Sequence, residues 1–195
     1  TAGTLGTGGV TNNANLTFNR TDSITVANAI SGTGNLSQSG AGSTTLSCTT
    51  NSYSGATNVT SGTLILSGGG DASSATTVAT GATLNITTAS ASVKSLAGAG
   101  SVILTGKTLT LANASDNFSG VISGTGNLTV AGGTEQLSGN NTYTGNTTIN
   151  AGATLNLSGK LGNGSYTGNV IDDGTLIYSG VVDQTLSGVV SGSEI

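Results

Sequence analysis

Asp172 and Asp173 are the one pair of adjacent carboxylates in the chain, and paired carboxylates are how glycosidic bonds are protonated and attacked. That chemistry needs two acids at a defined separation across a cleft. Neighbouring strand residues point to opposite faces, so this pair could cooperate only at a bend. The 8 acidic residues are scattered, there is no histidine, and no arginine follows Arg20. A hydrolase site that adds histidine and basic groups to an Asp pair therefore lacks its parts, and so does an eliminative lyase site. A solvated turn is the simpler reading of Asp172–Asp173.

Nucleophiles fare no better. Ser and Thr abound, but without histidine a triad needs a lysine base, and none of Lys94, Lys107 and Lys160 sits in a Ser–x–x–Lys context. Cys48 stands alone, with no basic neighbour in sequence to activate its thiol and no second cysteine for a disulfide. The run Gly68–Asp71 (GGGD) has the flavour of a calcium-binding nonapeptide, but it occurs once and is not repeated at the spacing such sites require. Asn-x-Ser/Thr triplets at Asn15, Asn58, Asn85, Asn127 and Asn146 follow from the abundance of Asn and Thr and read as turn and ladder residues.

The hexapeptide SGTGNL occurs twice, at Ser31–Leu36 and Ser123–Leu128. Gly32 and Gly34, and again Gly124 and Gly126, could cradle a phosphate. A nucleotide loop, however, opens a helix and carries a third glycine or a Gly-Lys-Ser/Thr ending, and neither copy does. Both lead directly into another strand, so the glycines read as corners, where a positive φ is needed. Catalytic, cofactor-binding and metal-ligating residues are left unassigned, and enzyme activity is not expected.

The elements that hold these residues are strands. Apolar residues alternate with Thr, Asn and Ser at Leu16/Phe18, Ile24/Val26, Leu64/Leu66, Leu84/Ile86, Val102/Leu104, Leu109/Leu111, Leu128/Val130 and Leu155/Leu157. Period two places one set on a buried face, and no stretch sustains helical spacing. Leu64, Leu84 and Leu104 recur at equal steps, and the steps from Leu109 to Leu128, Leu137 to Leu155 and Leu155 to Leu176 stay close to the same length. A recurring interval of about 20 residues predicts one continuous β-solenoid over 1–195, each coil buried by its neighbours. Roughly nine or ten coils at about 4.8 Å each would make a rod on the order of 45 Å long. Such a thin stack explains why 195 residues carry 33 glycines, 3% aromatics and 6% charge.

A longer repeat overlies the coil. Ser31–Gly68 matches Ser123–Gly159, and the offset between the copies changes by only one from the hexapeptide to the closing LSG. The equivalents of Tyr53 and Gly55 are Tyr143 and Gly145. A third copy begins as VVSGSEI at Val189–Ile195, and Val10–Arg20 resembles Val170–Gly180. This pattern is expected of either a fragment of a longer array or a protomer that continues into another chain.

The stretch GNNTYTGNTTINAGATLNLSG, with SGTGNL ahead of it, resembles the passenger-associated transport repeat, also called the autotransporter-associated β-strand repeat. The second copy carries Tyr143–Gly145, Ile149, Gly152, Leu155 and Leu157 of that pattern. The first carries Tyr53, Gly55, Val59, Gly62, Leu64 and Leu66. The first departs at Cys48–Asn51, both copies lack a lysine near Gln38 and Val130, and Thr134–Gln136 replaces a run of Thr and Leu. The resemblance implies a right-handed, single-stranded parallel β-helix secreted to a bacterial surface, acting as a non-enzymatic stalk, adhesin or fibre.

Its partners would be further repeats, copies of itself, or surface and matrix glycans and proteins. With a net charge of −4 and four scattered cations, nucleic acid is not an expected partner, and no apolar run is long enough to span a membrane. The alternative is a β-helix that binds or cleaves polysaccharide. Binding would need aromatic platforms, for which the chain offers Phe18, Phe118, Tyr53, Tyr143, Tyr166 and Tyr178.

Overall fold

The computed structural model describes residues 5–71 and 73–193. Within them the chain is a parallel β-solenoid of about nine turns and about 20 residues per turn. Each turn lays one short strand on each of three faces. The first face holds the strands Val10–Thr11, Ile30–Gly32 and Ser52–Tyr53, followed by a seven-stranded ladder from Gly70–Asp71 to Val190–Ser191. The second is an unbroken nine-stranded sheet from Asn15–Phe18 to Thr175–Tyr178. The third has six strands from Ser23–Val26 to Val121–Gly124, then an irregular segment around Tyr143, then the pair Ser165–Tyr166 and Thr185–Leu186.

The alternation read from the sequence becomes stacking along the axis. Leu64 faces Leu84, Leu84 faces Val102, and Val102 faces Ile122, all fully buried. On the first face Leu109, Leu128 and Thr147 follow one another, beside Leu111, Val130 and Ile149. A strand of four residues turns two side chains inward, so the interior is one or two residues deep from each wall. Each buried Leu there contributes about 1.5–3 kcal/mol. The Ser, Thr and Asn between them form outward rows, such as Ser92, Thr110, Thr129 and Thr148.

Two of the leucine intervals do not mark the register. Leu104 pairs with Ile86 and not with Leu84, because the step that stacks Ser101 on Thr83 is shorter than the one that stacks Thr83 on Thr63. Leu155 pairs with Glu135, and it is Leu157 that faces Leu137. Coil length varies at the corners, and the step from Thr147 to Val170 is longer again. A residue count therefore drifts while the backbone ladder does not.

The two repeat copies sit at different corners. Asn35–Gln38, which follows the first SGTGNL, lies on the second face, and Asn127–Val130, which follows the other, lies on the first. The offset therefore spans four whole turns and two further faces, and the second copy is the first rotated by one face about the axis. Val10 and Val170, by contrast, both lead from the first face to the second. The last two residues of VVSGSEI, and the Asp71 side chain of the Gly68–Asp71 run, lie outside what is described.

Candidate functional site: the repeated corner

Although rotated, the two copies build the same kind of corner. Gly32 and Gly124 have φ of +104° and +100°, which an L side chain rarely adopts. Gly34 and Gly126 are glycines for a different reason. A Cβ there would lie 2.4 Å from the Ala14 carbonyl oxygen or 2.1 Å from that of Lys107, in the coil beneath. Gly55 and Gly145 continue these columns, with a Cβ 2.2 and 2.1 Å from the Gly34 and Gly126 carbonyl oxygens. Backbone packed that closely leaves no pocket for a phosphate at the hexapeptide.

Asparagine side chains tie the coils together where strand pairing stops. The Asn35 Oδ1 accepts the Ala56 N–H at 2.9 Å, and the Asn127 Oδ1 accepts that of Asn146 at 2.8 Å. The second column climbs further, from Asn146 to the Asn169 N–H and from Asn169 to that of Val189. Asn51 and Asn141 each accept one amide of the strand below, Ile30 N–H and Ile122 N–H, both at 3.0 Å. Asn51 is thus the structural equivalent of Asn141. The signal was the shared spacing Asn-x-Tyr-x-Gly, at 51–55 and 141–145.

The tyrosines close the arrangement from inside. Tyr53 and Tyr143 are buried, and their hydroxyls meet Thr57 and Thr147 Oγ1 at 2.7 and 2.6 Å. Thr57 then meets Ser74 Oγ at 2.7 Å, and Thr147 meets the Tyr166 hydroxyl at 2.8 Å. Ser74 donates to the Gly55 carbonyl and Tyr166 to the Gly145 carbonyl, so two different residue types deliver a hydroxyl to one place. Tyr166 also packs edge-on against Tyr143, with centroids 5.5 Å apart. Burial pushes both phenols above their ordinary range, so they remain neutral donors. Tyr166→Phe or Ser74→Ala is expected to cost about 1–2 kcal/mol of stability, the loss of one buried hydrogen-bond link. Thermal denaturation of the two variants checks this, and the two costs should agree.

The remaining candidates do not converge. The Asp172 Oδ1 accepts the Gly174 N–H at 3.2 Å within its own turn, and the Asp173 Oδ1 accepts the Ser193 N–H at 2.9 Å in the next coil. Each carboxylate caps backbone. Cys48 lies partly exposed at a corner, where a hydrogen bond from Thr50 draws its thiol below the ordinary range, a contact the sequence did not reveal. Of the six aromatics, Phe18, Tyr53, Phe118, Tyr143 and Tyr166 are buried, and Tyr178 is the exposed one. A recess of about 720 Å³ lies at the first described turn, lined by Leu5, Phe18, Ile24, Val26 and Arg20. A shallower one of about 280 Å³ lies beside Lys160 and Val181. Neither includes Asp172, Asp173 or Cys48.

Glu135 was not singled out from the sequence, although period two puts it in phase with the buried Leu137. It is fully buried on the second face, between Asp116 and Leu155. No family model, characterised protein or solved structure matches the chain.

Proposed function

We propose that the chain is a structural segment of a secreted bacterial surface protein of the autotransporter-passenger kind, a stiff non-enzymatic stalk that presents its outer rows to surfaces or neighbouring cells. The observation that carries this reading is what the solenoid leaves uncovered. Each inner turn is sealed by the next, but the last coil leaves Tyr178 and Val190, which continue the inner rows of the buried Leu157 and Val170, exposed at 44%. At the other end Leu16 and Ile24 are half-buried. Among the described residues, Asn15–Phe18 and Thr175–Tyr178 are the two open edges of one parallel sheet, and such edges accept a further strand.

The partner of these edges is more of the same structure, either further coils of a longer chain or a second copy. Stacking of one copy's Asn15–Phe18 on top of another's Thr175–Tyr178 would bring Leu16 to Leu176 and Phe18 to Tyr178, the kind of apolar rung found throughout the interior. Electron microscopy of the purified chain is the direct test. Uniform fibres one solenoid wide are expected for copy-on-copy stacking, and isolated short rods for a segment sealed by its own longer chain. A rounded particle without rod-like dimensions would overturn the reading. Purified protein is also expected to release no product from polysaccharides. Turnover abolished by D172N/D173N would refute the non-enzymatic assignment.

A further inference from the structure

The inner row of the second face runs Leu16, Leu36, Thr57, Thr76, Leu96 and resumes as Glu135, Leu155, Leu176. Between the two stretches the sheet is at its thinnest. The strand Asn117–Phe118 has two residues and meets the one below it through the single pair Gly98–Phe118. Asp116 occupies the missing inner position, half-buried, and the Ser95 hydroxyl donates to its carboxylate. Directly above, the Gln136 N–H donates to the Asp116 carbonyl at 3.0 Å, which carries Glu135 onto the next rung.

Glu135 is wholly shielded from solvent, and no side chain hydrogen-bonds either carboxyl oxygen; the Leu96 backbone is the polar group that bears favourably on it. Its neighbour above is Leu155 and the charged group that bears on it from below is Asp116. Lys94, next to Ser95, is exposed and on the outside. Leu128, Val130 and Tyr143, buried on the other two faces at this level, add no charge. An ionised Glu135 would thus stand in an apolar interior with one carboxylate about one rung (about 4.8 Å) away and no cation to offset it.

We propose that the Asp116–Glu135 stack is a protonation-gated breakpoint in the solenoid: while Glu135 is neutral the turns on either side stay packed, and once it ionises they part at this level. Opening lets water reach the carboxylate and divides the rod into an N-terminal and a C-terminal stack, each keeping its own ladders.

Burial, with Asp116 adding and the Leu96 backbone opposing, pushes the Glu135 carboxyl up to about 9 from 4.5. The packed form therefore holds a proton that the open form releases. Packing is favoured fully below about pH 4.5, and each pH unit above that shifts the balance toward the open form by up to about tenfold, until pH about 9. This is the reverse of a salt-bridged carboxylate, whose contribution fades as pH falls.

The test is limited proteolysis at pH 6 and pH 8.5 with a protease active at both, with the cut sites mapped by mass spectrometry. At pH 8.5 the wild-type chain should be cut first between residues 111 and 137, at least tenfold faster relative to pH 6 once protease activity is normalised. E135Q and E135L, which cannot ionise, should lose that increase. Identical profiles for wild type and both variants, or first cuts confined to the terminal turns at both pH values, would overturn the proposal. Should neither variant fold, carbon NMR of the wild-type Glu135 carboxyl together with amide hydrogen exchange decides: a midpoint well above pH 4.5 with exchange of the 111–137 amides rising through the same pH range sustains the proposal, and a midpoint near pH 4.5, or a raised one with no rise in exchange, defeats it.

Discussion

Gly145→Ala should cost roughly 2–4 kcal/mol, a large fraction of what holds a small domain folded. The added methyl would sit 2.1 Å from the Gly126 carbonyl oxygen and 2.5 Å from its carbon, both backbone atoms of the coil beneath. The coil cannot rotate away, because Gly168 stands on Gly145 with the same closeness, 2.1 Å, and Gly188 on Gly168 at 2.2 Å. Relief at one rung would push every rung above it. Gly152→Ala is the control. Gly152 has φ +78° but nothing within 4 Å of its Cβ position, so alanine there adds only backbone strain, about 1–2 kcal/mol. Urea midpoints of the two variants should differ clearly. Equal midpoints would mean that close approach between coils is not what selects glycine in this column.

The pair of glycines also shows what the sequence could and could not convey. Period-two patterning is a local property of the chain, so strands such as Thr83–Ile86 and Thr154–Leu157 were legible with their inward residues. The coil-length interval was legible because stacking repeats the same environment once per turn. Register was less so, since a corner can lengthen or shorten without disturbing the ladder. The rotation of the second copy was not legible at all. The corners into the second face and into the first ask the same thing (a positive φ, a close approach, an asparagine for the stranded amide), so one hexapeptide serves both. Ser74 and Tyr166 escaped notice because the requirement at their position is a hydroxyl at a point in space, which a short side chain and a long one both meet. Glu135 was hidden differently: its place in the alternation was visible, but nothing in the chain order says that Asp116 would lie beneath it.

Asn141→Ala is the second large effect, about 3 kcal/mol, because three hydrogen bonds are lost from a site with no access to solvent. Its Oδ1 takes the Ile122 N–H at 3.0 Å, and its Nδ2 reaches the Gly139 and Lys160 carbonyls at 3.2 and 3.3 Å. Removing the side chain strands a buried amide, and an unsatisfied buried group costs about 1–3 kcal/mol beyond the small net value of the bond itself. Asn51→Ala should be milder, about 1–2 kcal/mol, since Asn51 makes the same bond to Ile30 but is only half-buried and water can replace part of the loss. Asn140→Ala, one residue away, removes an exposed bond to Asn163 and should fall within about 0.5 kcal/mol of wild type. Asn141→Asp sharpens the point. It keeps the acceptor for Ile122 but loses both donations and puts a carboxylate against two carbonyls, so it should be no better tolerated than alanine. A ranking by denaturant unfolding with Asn141 and Asn51 reversed would show that burial does not set the cost. Asn141→Asp near wild type would show that the amide of Ile122 is the single bond that matters at this corner.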